Sequence, residues 1–250
     1  MDNNKQIEKM RNVFLALLLL IAALFAAYYE GYFQKITTIF RITLAASSII
    51  VIWLSLYIST KRFLSFIAVI FIIEYIKEAI GIKSNIWVYH GFGGQFVFGV
   101  WCWVLAGLVS YGLASRVLIR LIRKLKFTLP RWLNLIILLL IAALIPFMMG
   151  DYLQGTGALF WLLYALLLIF GIYSVLKMDF PVFAGLVLSA WIIGIPSEYV
   201  GSISSGVWEF TMDANFPPLF LLLGCWPIEI IAQYSMSAFL VNEPLDKDTY

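Results

Sequence analysis

Residues 132–149 read WLNLIILLLIAALIPFMM, a run without a single charged side chain. A helix needs about 20 mostly apolar residues to cross the hydrocarbon core of a bilayer, and this run has that length. It is rich in Leu, Ile and Ala, without the period-two alternation of an outer-membrane strand. Working outward from it, comparable runs lie at 12–30, 38–59, 63–81, 95–115, 156–176, 181–200 and 217–240, separated by short segments marked by charge, Gly and Pro. The composition agrees with this division. Of 250 residues 63% are hydrophobic and 12% charged, with a mean hydropathy of +0.95, which leaves too little polar surface to cover a soluble globule. The fold expected is all-α, a polytopic membrane bundle of about eight transmembrane helices. A soluble Rossmann, TIM-barrel or P-loop enzyme is excluded.

Orientation follows from the basic residues. With the N-terminus in the cytoplasm, the cytoplasmic segments hold all 17 Lys and Arg residues except Lys35, Arg41, Lys77 and Lys83. That bias satisfies the positive-inside rule for a multi-pass protein of the cell membrane with both termini cytoplasmic. The net charge of +3 is then a product of topology, the basic 116–131 loop is expected to be a topology determinant rather than an anionic-lipid or partner patch, and no nucleic-acid partner is implied. The lipid bilayer is the partner the composition requires.

The two halves repeat at a shift of about 120 residues. Tyr32-Phe33-Gln34 recurs as Tyr152-Leu153-Gln154, and Glu78-x-x-Gly81 as Glu198-x-x-Gly201. Trp87-x-Tyr89 recurs as Trp208-x-Phe210 with a one-residue slip, and Gly99-x-Trp101 as Gly224-x-Trp226 after a longer loop. The expected organisation is a first four-helix repeat over 1–120 and a second over 121–250, in the same orientation and within one membrane domain. The first span has a counterpart at 132–149, so it is expected to be retained rather than cleaved as a signal peptide.

The polar residues inside these spans carry the chemistry. Glu74 and Glu78 lie four residues apart on one face, at the non-cytoplasmic end of span three. Lys77 can neutralise Glu74 at three-residue spacing. Glu198 takes the matching place in span seven, after Pro196 and with no basic residue nearby in sequence. Gly81 and Gly201 suit the left-handed position that closes a helix, which would put both acids at the negative end of a helix dipole. That field and an apolar setting both disfavour a bare carboxylate, so Glu78 and Glu198 are candidate proton donors. Trp87 with Tyr89, and Trp208 with Phe210, follow each glycine. Such residues serve as interfacial anchors, but beside an acid their faces can stabilise a cation formed by protonating a carbon–carbon double bond.

Glu229 lies within span eight and reads equally as a catalytic residue or as a structural hydrogen-bond partner. Glu30 and Asp151 flank the two Tyr-x-Gln sites at span ends, and Glu209 and Asp213 are expected in a loop. His90 is the sole histidine, so neither a His-rich zinc site nor a haem pair is expected. Gly91–Gly94 reads as a turn rather than a phosphate loop. Cys102 and Cys225 lie inside spans without metal or redox spacing and read as inert packing.

At these residues the chain resembles the integral-membrane lycopene cyclase domain and its relatives, the carotenoid hydratase-like membrane proteins. The resemblance covers about 35 residues in each half. In the second half it rests on Glu198, on Gly206-Val207-Trp208-Glu209-Phe210 and on Leu223-Gly224-Cys225-Trp226-Pro227-Ile228-Glu229. In the first it rests on Glu78-Ala79-Ile80-Gly81-Ile82-Lys83, Trp87-Val88-Tyr89 and Phe98-Gly99-Val100-Trp101. Two departures stand out: Ile230 follows Glu229 where the cyclase pattern pairs two acids, and the repeated acid is Glu where cyclases commonly have Asp.

The resemblance implies an isomerase or hydratase of carotenoid or isoprenoid biosynthesis. Glu78, Glu198 and Glu229 would be its catalytic acids, and Trp87, Tyr89, Trp208, Phe210 and Glu74 would meet the hydrophobic polyene. Protonation of a terminal double bond would lead to cyclisation or hydration, with no cofactor and no metal. The active unit can be the single chain or a homo- or hetero-oligomer. A membrane carrier for a small solute also fits tandem repeats with intramembrane acids. A noncatalytic membrane subunit fits the missing second acid after Pro227.

Overall fold

The structure, a computed structural model, describes residues 3–29, 38–89, 114–149, 157–204, 208–211 and 219–245. The chain is mostly helical. Helices α1 (Asn3–Tyr29), α2 (Thr38–Ser55) and α3 (Thr60–Lys83) precede a short strand β1 (Trp87–Tyr89). A helix α4 over 114–124, then α5 (Arg131–Met149), α6 (Gly157–Val175) and α7 (Phe180–Ser189) follow. From α7 the chain stays helical through a π-helical segment (Ala190–Gly194), α8 (Ile195–Glu198) and a second π segment (Tyr199–Ser204). Strand β2 (Trp208–Phe210) and helix α9 (Leu219–Leu240) complete the described chain.

The all-α expectation therefore holds in outline, with one addition: β1 and β2 pair as a two-stranded antiparallel sheet. Among the described residues, Ala158–Val175 and Phe180–Ile203 are long and apolar enough to cross a membrane, and Arg131–Pro146 is a shorter apolar helix. Residues 95–113 of the expected fourth span lie outside the described residues.

Helix α9 is central. It packs against α3, α5, α6, α7 and the first π segment, and its residues Ile228, Ile230, Ile231 and Ala232 join Ile70, Leu138 and Leu186 in one apolar core. Helix α3 begins where Ser59 caps it, its hydroxyl accepting the Arg62 backbone N–H at 3.2 Å. Helix α7 begins where Asp179 accepts the Val182 N–H at 3.0 Å, with Pro181 in the first turn. The opposite, outward faces stay apolar. Leu159, Leu162, Leu166 and Ile169 of α6 are exposed, as are Phe14, Leu17, Leu18, Ile21 and Phe25 of α1.

Pro146 lies inside α5 and Pro227 inside α9. Each lacks the N–H that would bond the carbonyl four residues earlier, leaving Ala142 and Leu223 with free oxygens. Aromatic side chains from neighbouring helices take both. The Tyr164 hydroxyl donates to the Ala142 carbonyl at 2.7 Å, and the Trp191 indole N–H donates to the Leu223 carbonyl at 3.0 Å. A backbone carbonyl surrounded by apolar side chains has no water to replace such a donor. Tyr164→Phe is therefore expected to lower stability by about 1–3 kcal/mol, through the stranded acceptor. The loss should shrink in a Pro146→Ala background, where the helix regains its own bond; thermal unfolding of the four proteins in detergent completes the double-mutant cycle.

Candidate functional site

The end of α3 builds the first part of the site. The helix runs to Lys83, and the chain then reverses through Asn85, whose φ of 53° lies in the left-handed region that Asn tolerates better than most residues. The Ile86 N–H bonds the Gly81 carbonyl at 2.9 Å and the Asn85 N–H bonds that of Ile82 at 3.0 Å, the crossed pair of a Schellman turn. Gly81 is thus not the left-handed closing residue expected from the sequence; Asn85 is. The reason Gly81 lacks a side chain is different. A Cβ there would lie 2.0 Å from Cζ2 of Trp87, so the glycine is the floor on which the indole rests.

This seating aims the indole edge at Glu78. The Trp87 N–H donates to Glu78 Oε2 at 2.7 Å, and the Tyr89 hydroxyl donates to the same oxygen at 2.9 Å. Glu78 is buried. It meets the ring by its N–H edge rather than over its face.

The second part has the same plan on a different scaffold. Pro196 removes a backbone donor from the helix that starts at Phe180, and π turns flank the four-residue stretch holding Pro196 and Glu198. The Trp208 N–H donates to Glu198 Oε2 at 3.0 Å. A Cβ on Gly201 would come within 1.7 Å of Cη2 of Trp208. Gly201 therefore lies in a π segment as the seat of an indole, and the expectation that it closes the helix is corrected in the same way.

The two parts meet through the ladder: Trp87 pairs with Phe210, Val88 with Glu209 and Tyr89 with Trp208. The Trp87 and Phe210 rings meet edge to face at 6.2 Å, and Tyr89 and Trp208 are tilted at 6.0 Å. Thr211 ties the end of β2 back to β1, its N–H donating to the Ile86 carbonyl at 3.0 Å and its hydroxyl to the Asn85 carbonyl. Glu209, expected in a loop, is the exposed middle residue of β2. Alternation of aromatic, other and aromatic residues is a strand signal; it was legible in Trp87-Val88-Tyr89 and Trp208-Glu209-Phe210, though three residues are too few to decide it.

One turn below Glu78, a buried ionic cluster joins α3 to α9. Lys77 Nζ lies 2.5 Å from Glu74 Oε2 and 3.0 Å from Glu229 Oε1, and 5.2 Å from the centre of the Trp226 ring. Gln233 donates to Glu74 Oε1 at 2.6 Å and to Glu229 Oε1 at 3.1 Å. Glu74, Glu229 and Gln233 are 1%, 4% and 1% exposed. Lys77 does neutralise Glu74, as its spacing implied, and it also holds Glu229 across the helix interface. Gln233 and Trp226 were not among the expected site residues. The signal available was Gln233 four residues after Glu229, one helical turn along the same face.

The eight expected site residues thus converge on one end of the bundle, and the charges of Lys77, Glu78 and Glu229 all act on Glu198. Cys225 is a free thiol in α9; among the described residues no three His, Cys, Asp or Glu side chains form a group able to hold a metal. Glu30, His90, Gly91–Gly94, Cys102, Asp151 and Asp213 lie outside the described residues. A separate apolar groove of about 500 Å³ opens between α3, α6 and α9, lined by residues including Ile72, Ile73, Phe170, Met236 and Leu240. None of the eight site residues lines it. No protein-family model matches the chain, and no curated protein or solved structure matches it either.

Removing Lys77 would leave two buried carboxyl groups without their cation. Lys77→Met is expected to destabilise the protein by about 3–5 kcal/mol. Adding Glu74→Gln and Glu229→Gln should recover most of that loss, as read from unfolding midpoints in detergent; equal instability of the single and triple variants would contradict the ionic account.

Proposed function

We propose that this chain is an integral-membrane enzyme of carotenoid or isoprenoid metabolism, an eight-span bundle of two tandem repeats that adds a proton to a terminal double bond of a lipid-dissolved polyene. The cation so formed closes a ring and loses a proton, giving an isomer, or captures water, giving an alcohol. Glu78 and Glu198 handle the proton, with Trp87, Tyr89, Trp208 and Phe210 around the reacting end. Neither outcome requires an electron carrier.

The observation that carries this reading is the pair of acid–indole contacts, Glu78 with Trp87 and Glu198 with Trp208, joined by one β ladder. Carboxyl groups held beside aromatic rings, Glu78 buried and Glu198 partly exposed, are suited to protonating an alkene. The tandem repeat is supported by details beyond the matched motifs. The capping residues Ser59 and Asp179 stand at the repeat spacing. Asn12 donates to the Ile58 carbonyl, and Asn134 to that of Met178, in the corresponding turns. Outward apolar faces on α1 and α6 suit contact with lipid. The apolar groove between α3 of the first half and α6 and α9 of the second suits lateral access for a hydrocarbon chain.

One observation favours the carrier reading: the buried Glu74–Lys77–Glu229 cluster resembles intramembrane charge groups along ion paths. Ion-coupled solute flux in vesicles would support it. The enzyme reading predicts a new product in pigment extracts of polyene-producing cells that express the chain. Glu198→Gln should lower its formation by about 10²–10⁴-fold, the usual contribution of a general acid. An extract unchanged by expression of the wild-type chain would sink the proposal.

A further inference from the structure

We infer that the two acids, although they occupy matching places, divide the work: Glu198 gives the proton and Glu78 takes one back. This rests on the proposed function and adds an assignment of roles to it.

The assignment comes from a difference between the two acid–indole units. Each glutamate accepts an indole N–H on Oε2. Glu78 accepts a second donor on that same oxygen, the Tyr89 hydroxyl at 2.9 Å. At the position matching Tyr89 stands Phe210, which has no hydroxyl to offer Glu198. Among the described residues Trp208 is the one donor to that acid. An oxygen that accepts two hydrogen bonds is committed as an acceptor, and donors aimed at a carboxyl group favour its ionised form, the form that can take up a proton. Glu78 is therefore built to stand as a hydrogen-bonded carboxylate before the step, with Oε1 left to receive the proton. Glu198 has one donor fewer, and it sits between π turns, a distortion that is frequent at functional sites. Lys77 from α3 and Glu229 from α9 act on both acids, and Glu78 acts on Glu198 as well. In direct hydrogen bonds to the two acids, the Tyr89–Phe210 difference is what separates them.

The step then balances. The Glu198 O–H bond breaks, and the π pair of the terminal double bond forms a new C–H bond, leaving a cation on the adjacent tertiary carbon. In cyclisation that cation is attacked by the next double bond, and Glu78 Oε1 removes a proton from the carbon beside the new cation, whose C–H pair becomes the ring double bond. In hydration a water oxygen adds to the cation, and Glu78 takes the proton that the water releases. Between turnovers solvent carries a proton from Glu78 back to Glu198, so none is consumed. Tyr89 touches no reacting atom here and acts as a positioning residue.

Deuterium separates the roles. Polyene-producing cells expressing the chain are grown in D2O, and both product and recovered polyene are analysed by mass spectrometry, with the amount of membrane-inserted protein measured for each variant. The wild-type product should carry deuterium at the protonated carbon. Glu198→Gln should give neither product nor deuterium in the recovered polyene. Glu78→Gln should lose product while deuterium appears in the recovered polyene, because a cation with no acceptor ahead of it returns a proton to Glu198. Tyr89→Phe leaves both carboxyl groups in place and should shift the ratio of labelled polyene to product in the same direction, by about tenfold for a lost hydrogen bond to a charged group. Phe210→Tyr should not produce that shift. Reversed behaviour of the two glutamate variants, or identical behaviour without deuterium in either, overturns the division of roles while leaving the proposed function standing. A wild-type chain that yields neither product nor deuterium overturns the function and the roles together.

Discussion

A polar group among apolar helices has no water to turn to, and in this bundle the buried acids Glu74, Glu78 and Glu229 and the proline-freed carbonyls of Ala142 and Leu223 meet partners from other parts of the chain. The largest demand comes from Glu74 and Glu229, two carboxyl groups almost without exposure. Lys77 answers both, and Gln233 donates to both. Burying ions is costly, and their mutual attraction offsets that cost only with close geometry and further hydrogen bonds. The contacts here are 2.5–3.1 Å. The consequence is positional: α3 is fixed against α9 in rotation as well as in height, so Glu78, one residue beyond Lys77, faces a defined place.

The ladder depends on that placement in turn. A two-stranded ribbon is marginal by itself, and three residues per strand are few. Here the acids hold the strands: the indoles of Trp87 and Trp208 rest on Gly81 and Gly201 and give their N–H groups to Glu78 and Glu198. Each glutamate fixes its indole, each indole fixes its strand, and the strands fix the two helix ends relative to each other. Fold and candidate site are thus made of the same contacts. A side chain added at either glycine would disturb both at once, and the duplicated Glu-x-x-Gly spacing is the minimum motif that places acid and seat on neighbouring turns.

Much of this was legible in the sequence, because apolar length and turn chemistry are local signals. Several helices begin and end close to the runs read from composition, α5 at 131–149 against 132–149 and α6 at 157–175 against 156–176; α1 instead starts at Asn3, well before residue 12, and α4 over 114–124 falls on the segment read as a basic loop. The importance of Glu78, Glu198, Trp87 and Trp208 was legible because they recur together. Other features were hidden for physical reasons. A glycine reserved for close approach looks the same in sequence as one that closes a helix, and only the ring of a residue six or seven positions later distinguishes them. The reach of Lys77 to Glu229 spans 152 positions, beyond any helical periodicity. The π turns around Glu198 break the 3.6-residue period on which the assignment of faces relies, and the donors to the carbonyls of Ala142 and Leu223 come from helices whose neighbours the sequence does not specify.

Under the proposed repeat, the halves agree in the acid, the glycine and the indole but diverge one turn earlier. The position matching Lys77 is Ser197, whose hydroxyl bonds the Gly194 carbonyl at 2.8 Å. The position matching Glu74 is Gly194, which lies against the ring of Trp226. The second half therefore contributes Glu198 without a cation beside it on its own helix, and the one lysine of the ionic cluster comes from the first half, with Glu229 and Gln233 of the second half completing it. Two equivalent acids would have no reason to act in order. An asymmetric pair does: one acid lies beside the lysine on the same helix and is held by two donors, while the other sits on a distorted helix with one. In the proposed reaction, which would first give and then accept a proton, the sites have to differ, and the residues that break the repeat are those that would make them differ.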